Sequence, residues 1–313
     1  MQTAPVIVIL GPTASGKSAF AVELARKIGG EVISADSRQV YKGLDIGTGK
    51  ITKREMKGVP HHLLDIASPR RVYTASDFVR DGQAAIADIQ SRGKVAILCG
   101  GTGFYIDALL GRISLPQVPA NKSLRSRLQK KSAPELFALL QKKDPKRAAQ
   151  MDTPSERNNK VRLIRALEVS KKYQGLTLIS SGGVGPRIIT AQWIGIARPQ
   201  ENINSRIAIR LKRRLKAGMV SEARRLHAAG LSYKRMESLG LEYRSLSRFL
   251  QGTITRSQLE SELLHDICAY SKRQITYWKR NDAIRWLSAP VTASQAIQHL
   301  GVPKVRKHVR ARP

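Results

Sequence analysis

Cysteine is almost absent: Cys99 and Cys268 are the only two among 313 residues. They form no C-x-x-C pair, which excludes a disulfide framework and a zinc ribbon, so a reduced, cytoplasmic compartment is expected. No apolar run approaches the ~20 residues that cross a bilayer, and the opening MQTAP leads into a strand-like run instead of a signal peptide. No membrane partner is expected, and there is no internal repeat. Acidic side chains are scarce as well: 23 Asp and Glu stand against 55 Lys and Arg, a formal net charge of +32. An enzyme of small metabolites has no need of that imbalance, whereas a phosphate backbone would be held by it through counterion release. The deficit is uneven. Residues 1–60 carry nine basic and five acidic side chains, residues 121–175 carry fifteen and five, and residues 198–256 carry fourteen and four. A surface made basic only for solubility would tend to spread the bias, so the gathering favours a polyanion on the later segments.

Against these absences stands an apolar fraction of 42%, enough for a real core. The first apolar run, VIVIL, is followed at once by GPTASGKS: Gly11, Pro12, Thr13, Ala14, Ser15, Gly16, Lys17 and Ser18. This is the G-x-x-x-x-G-K-[ST] pattern, whose backbone N–H groups surround phosphate oxygens while the lysine adds a point charge and the hydroxyl ligates Mg²⁺. A good helix sequence, KSAFAVELARKIG, comes next, so a strand–loop–helix order points a helix N-terminus at an anion.

The first half goes on alternating. EVISAD reads as a second strand ending at Asp36, FVRDGQAAIADIQSRG as a helix stopped by Gly93, and KVAILCGG as a third strand running into a glycine pair. Continuous apolar strands separated by helices imply an α/β fold, a P-loop core with a parallel sheet flanked by helices. Ligands of such sheets collect at the carboxyl ends of the strands, where Gly11–Ser18, Asp36 and Gly100–Thr102 all fall. From about Pro116 the chain becomes polar, basic and helix-rich; SSGGVGP reads as a flexible connection, and RIITAQWIGIA and AIRWL return to strand character. Residues 1–119 are therefore the first part of the core, 120–187 an inserted helical unit, 188–290 the second part with C-terminal helices, and 291–313 a flexible basic tail. Leu259, Leu263, Ile267, Tyr270 and Trp278 share one face of a long helical stretch, more in keeping with core packing than with a ligand box. Its polar side holds Lys272, Arg273, Lys279 and Arg280.

A P-loop first suggests phosphoryl transfer. Motor and switch NTPases end a later strand in an Asp that organises magnesium, but here Cys99 occupies that place. Asp36 is the one acid that clearly ends a strand, which leaves small-molecule kinase chemistry open without explaining the charge. His61 and His62 invite a metal reading, but no third ligand has suitable spacing, so packing is expected of them.

The segments GPTASGKS, ISADSRQVYKGLDIGTGK, HHLLDI, GGTGFY, RLIRALEV and SKRQITYWKR, in this order over residues 6–287, resemble the tRNA dimethylallyltransferases, also called tRNA isopentenyltransferases. The resemblance implies a P-loop that holds dimethylallyl diphosphate with Mg²⁺ at Ser18, and transfer of the five-carbon group to N6 of adenosine 37 in tRNAs reading U-initial codons. It implies Asp36 as general base and Thr102 beside the reacting base. It further implies tRNA contacts from Asp36, Ser37, Arg38, Gln39 and Thr102, and from Arg125, Val161, Arg162, Leu163, Ile164 and Arg165 in the inserted helical unit, read as a tRNA-binding domain. The partners are then the anticodon stem-loop and the diphosphate, with a monomer as the default. The chain departs from the pattern at Ile267 and Cys268, where many members carry Thr-Arg, and at LGLEYR, where others have Ile-Gly-Tyr. Prenyl transfer to a free adenine nucleotide, a small-molecule kinase and a non-catalytic RNA-binding protein are the competing readings. For Asp36 a capping or second-sphere magnesium role stays open, as a turn-stabilising one does for Thr102.

Overall fold

The computed structural model describes residues 5–151, 153–172 and 188–300; the SSGGVGP connection and the last thirteen residues of the basic tail lie outside them. The first run forms β1 (Val6–Leu10), and its two faces show why every position is apolar. Val6, Val8 and Leu10 enter one buried cluster, Ile7 and Ile9 the other. The chain then alternates through α1 (Lys17–Ile28), β2 (Gly30–Ala35), α2 (Lys53–Met56), β3 (His61–His62), α3 (Ala75–Ser91), β4 (Val95–Gly100) and α4 (Gly103–Leu109). Helix α3 starts where Thr74 and Asp77 form a reciprocal capping box, and the chain turns away at Gly93, whose φ is +65°.

Five helices follow: α5 (Lys122–Gln129), α6 (Ala133–Lys143), α7 (Pro145–Ala149), α8 (Pro154–Arg157) and α9 (Lys160–Lys172). They enclose their own core around Leu128, Leu136, Leu140, Leu163 and Leu167. This compact unit spans Ser114–Pro186, against a start at residue 120 read from the sequence. The chain resumes the first unit with β5 (Ala191–Ala197), α10 (Gln200–Lys216), α11 (Met219–Ala228), α12 (Tyr233–Leu239), α13 (Leu241–Leu250), α14 (Arg256–Trp278), β6 (Arg285–Ser288) and α15 (Ala293–Leu300).

Among the described residues the strands form one parallel sheet in the order β3-β2-β4-β1-β5-β6. Helices α3 and α4 supply Phe78, Ile86, Ile106 and Leu109 to one face; α1 and α15 supply Phe20, Leu24, Ala296 and Ile297 to the other. Residues 291–313 are not all a flexible basic tail, because Ala293–Leu300 form a packed helix. Ala293, Ala296, Ile297 and Leu300 are buried on α15 and complete the core beside α1, so the chain is folded to Leu300. Since β2, β4 and β1 are neighbours, the loops leaving their carboxyl ends emerge side by side.

Candidate active site

The loop after β1 turns through Gly16 at φ +102°, a region where a side chain would be strained. Its carbonyls are taken by cations. Arg206 Nε donates to the Ala14 carbonyl at 2.8 Å, Arg198 Nε to that of Ser15 at 2.8 Å, and Lys17 Nζ to that of Pro12 at 3.2 Å. Helix α1 begins with no side-chain cap and no acidic residue in its first turn. Its leading N–H groups and positive end are thus left to an anion. The buried Ser15 hydroxyl also lacks a hydrogen-bond partner among the described residues. Thr13 differs: its N–H donates to Gln274 Oε1 at 2.8 Å, and Gln274 Nε2 donates to the Gly101 carbonyl at 3.0 Å. One amide of α14 therefore ties the loop after β1 to the loop after β4. A Cβ at Gly101 would strike that amide, so the second glycine of the pair is needed for the close approach.

Asp36 follows β2, and its Oδ1 accepts the N–H groups of Arg38 (2.8 Å) and Gln39 (3.2 Å). Among the described residues Oδ2 has no such partner. Thr102 Oγ1 accepts the Ser37 N–H at 3.2 Å and lies close to the Tyr270 hydroxyl. Burial, then the Asp36 charge, pushes the Tyr270 phenol up to about 12, so it remains a proton donor at neutral pH. Thr13, Lys17, Ser18, Asp36, Ser37, Arg38 and Gln39 line a single cavity with Cys99, Arg210, Arg214 and Tyr270. Of the other residues singled out in the core, Gly11, Pro12, Ala14, Ser15 and Gly16 shape the loop without lining the cavity. Thr102 stands behind Ser37.

The cavity is short of negative charge. Burial pulls the Lys17 ammonium below its ordinary range, only partly offset by Cys99 and Asp36, and Arg210 lowers it further. Arg210 is likewise pulled down, by burial first and then by Arg214. Arg214 is paired with Glu242 at 3.0 Å. Crowded, desolvated cations of this kind are relieved by a polyanionic ligand. The Cys99 thiol, pushed up to about 11 chiefly by burial, stays neutral beside the Ser18 hydroxyl. Ser18 and Asp36 offer hard oxygen donors, and no cluster of three or more His, Cys, Asp or Glu stands ready for a metal among the described residues. So sparse a set fits Mg²⁺, which keeps several waters and takes ligands from phosphate; it does not fit zinc. His61 Nδ1 contacts the Val59 carbonyl at 2.8 Å and His62 Nε2 contacts Glu31 at 2.7 Å, so both histidines are held by protein partners.

The remaining candidates lie in the helical unit. Arg125 grips the buried Glu168 with Nε and Nη2, both at 2.6 Å. Arg165 reaches the same carboxylate at 3.3 Å and the Val118 carbonyl at 2.8 Å. Both arginines thus neutralise an internal charge while keeping part of their surface open. Arg162 is more exposed and pairs with Glu156 at 2.7 Å; Val161 is exposed. Leu163 and Ile164 are buried in the unit's core, so their side chains are not available to a ligand.

Sequence reasoning passed over Arg198, Arg206, Arg210, Arg214 and Gln274. Three of them carried a signal, because Arg206, Arg210 and Arg214 recur every fourth residue and form one stripe on α10. Gln274 lies within the quoted SKRQITYWKR, but nothing local gave it a role, because its partners are remote in the chain. At the departures from the expected pattern, Ile267, Leu241 and Glu242 line the cavity, while Cys268 is half-buried beside it in the chain.

A parallel sheet with a phosphate loop on a central strand and a cationic cavity at its carboxyl end defines a P-loop core. Residues 39–281 match the model of the IPP transferase family. A tRNA dimethylallyltransferase 2 of Treponema denticola is 42% identical over 281 residues, covering 88% of this chain and 91% of that protein. A tRNA dimethylallyltransferase 1 of Geotalea uraniireducens is 37% identical over 302 residues, covering 94% and 97%. The crystal structure of the full-length tRNA isopentenylpyrophosphate transferase from Bacillus halodurans superposes with a TM-score of 0.69 at 32% identity, over 95% of this chain and 94% of that one. The chain belongs to the IPP transferase family.

Proposed function

We propose that the chain transfers a dimethylallyl group from dimethylallyl diphosphate to N6 of adenosine 37 in the anticodon loop of tRNA, releasing diphosphate. The observation that carries this reading is the shared cavity, in which a phosphate loop and a strand-end carboxylate face one another in a chain of this family. Helix α1, Lys17 and Arg210 receive the diphosphate and neutralise the charge that grows on it as the C1–O bond breaks. Mg²⁺, held through Ser18, supplies further charge neutralisation when bound. The exocyclic amine is a weak nucleophile because its lone pair is delocalised into the ring. Asp36, its Oδ1 fixed by two backbone N–H groups, accepts the N6 proton as the N6–C1 bond forms. Thr102, anchored to Ser37, positions the base. An adenine stacked in its loop cannot reach this cavity, so the target base flips out.

The excess of cations fits an RNA acceptor better than a free nucleotide. Arg125, Val161, Arg162 and Arg165 are the contacts we assign to tRNA in the helical unit, and Asp36–Gln39 those near the cavity. No described helix is long and apolar enough to cross a membrane, and a cytoplasmic, monomeric protein is our reading. Incubation with Mg²⁺, labelled dimethylallyl diphosphate and unmodified tRNA, with AMP and ATP as rival acceptors, tests the proposal. Label in tRNA as N6-prenyladenosine supports it; label in a mononucleotide, or in none of the three, overturns it.

A further inference from the structure

Beside the cavity, α4 and the end of α14 build a second feature that the chemistry above leaves unused. The Arg280 guanidinium lies over the Tyr277 ring, 3.9 Å from its centroid. The ring also packs against the first turn of α4, where a Cβ at Gly103 would strike it. A carboxylate fixes the pair: Asp107, buried, accepts from the Tyr277 hydroxyl at 2.7 Å and from Arg280 Nη2 at 3.0 Å through the same oxygen. Its other oxygen stands 3.3 Å from Arg112 Nε. The guanidinium thus has the ring on one side and remains open to the surface, with the Arg280 side chain 56% exposed. Phe104, two residues beyond Thr102, is 44% exposed on the same short helix as Gly103. Between Lys272 and Arg285 five basic residues face one acid, Asp282.

A pinned, ring-backed guanidinium, with an exposed aromatic ring on the helix its own ring packs against, is a poor surface for water and a good one for a planar π-system. Unpaired RNA bases stack on such planes while their phosphates meet the surrounding cations. We propose that Arg280 and Phe104 form a stacking shelf for an unpaired nucleotide adjoining the target adenosine, an assignment that rests on the tRNA reading above. Continuity with the site supports it: α4 begins at the residue after Thr102, so a base leaving the loop for the cavity brings its chain neighbour past Phe104. Asp107 is a positioning residue, holding Arg280 over Tyr277.

An anticodon stem-loop with 2-aminopurine at either neighbour of position 37 reads this directly, because stacking quenches the probe. The wild-type chain quenches it at one of the two positions. Arg280→Ala and Phe104→Ala each restore fluorescence and weaken binding by about 5- to 160-fold, the range of one lost stacking contact. Arg280→Lys keeps the charge and the salt dependence of binding but loses the quenching, which separates a stacked plane from a mere cation. If Arg280→Ala fails to fold, Arg280→Lys and Phe104→Ala carry the test. No quenching at either position, or wild-type quenching and affinity in Arg280→Lys and Phe104→Ala, overturns the shelf. Prenyl transfer to tRNA by the wild-type chain is measured alongside: its absence overturns the parent reading, and its presence with an unquenched probe overturns the shelf alone.

Discussion

Asp36 commits one carboxylate oxygen to its own backbone and leaves the other for chemistry. Asp36→Asn retains an acceptor for the Arg38 and Gln39 N–H groups but cannot take up a proton. It should lower single-turnover transfer about 10²- to 10⁴-fold, the usual worth of a general base. Affinity for tRNA, measured by filter binding, should change by no more than about twofold; an equal loss of both would make Asp36 a docking residue. A second carboxylate makes a prediction about stability. Glu31 is held by Arg92 and hydrogen-bonded to His62, and against the cost of burial this brings its carboxyl from 4.5 down to about 2. A group depressed in the folded state stabilises fully above its unfolded value and loses that contribution as pH falls through the folded one. Urea midpoints should therefore drop between about pH 4.5 and 2, and Glu31→Gln should be less stable at neutrality and flatter across that window. A wild-type acid limb in the variant would assign the loss to other carboxylates.

Helix α9 carries two kinds of residue that mutation separates. Leu163→Ala opens a cavity in a closely packed core and should cost about 2–5 kcal/mol, read as faster hydrogen exchange along α9. Arg162→Ala should leave exchange unchanged, weaken tRNA binding and reduce the salt slope by about one; an unaltered slope would remove Arg162 from the phosphate contacts. The same helix shows what a sequence can and cannot say about a site. R-L-I-R places two arginines on one face, but only the fold shows that Arg165 also neutralises Glu168 and that the two residues between face inward. Strands β1 and β4 were legible because both their faces are buried, which makes them continuous apolar runs, and β2 because Val32 and Ile33 mark it despite the buried Glu31 and Ser34. Strand β3, at two residues, has no period to read. Helix α15 did carry a helical spacing of Ala293, Ala296, Ile297 and Leu300, which the basic residues beyond it outweighed. The phosphate loop was plain because its pattern is contiguous. Gln274 was invisible because it works by joining Thr13 to Gly101, a contact created only by tertiary structure.

Not every cation faces outward for a ligand, since Arg125, Arg165 and Arg214 all have carboxylate partners within the protein. Enough remains that binding of tRNA should fall steeply with salt. With about six to ten phosphates engaged, affinity should drop about 10³- to 10⁵-fold between about 50 and 200 mM monovalent salt. A flat titration would show that the cations serve something other than a nucleic-acid backbone. The strand order has a consequence for synthesis. On the ribosome β1 emerges first, and β4 reaches one of its edges once residue 100 is made, yet the other edge belongs to β5 at Ala191–Ala197. Until translation has passed through the whole helical unit, the most apolar strand keeps a row of unpaired backbone groups, the form in which strands join foreign partners. Nascent chains stalled before residue 191 should therefore be the species most dependent on chaperones, and slow decoding across the helical unit the step most costly to yield.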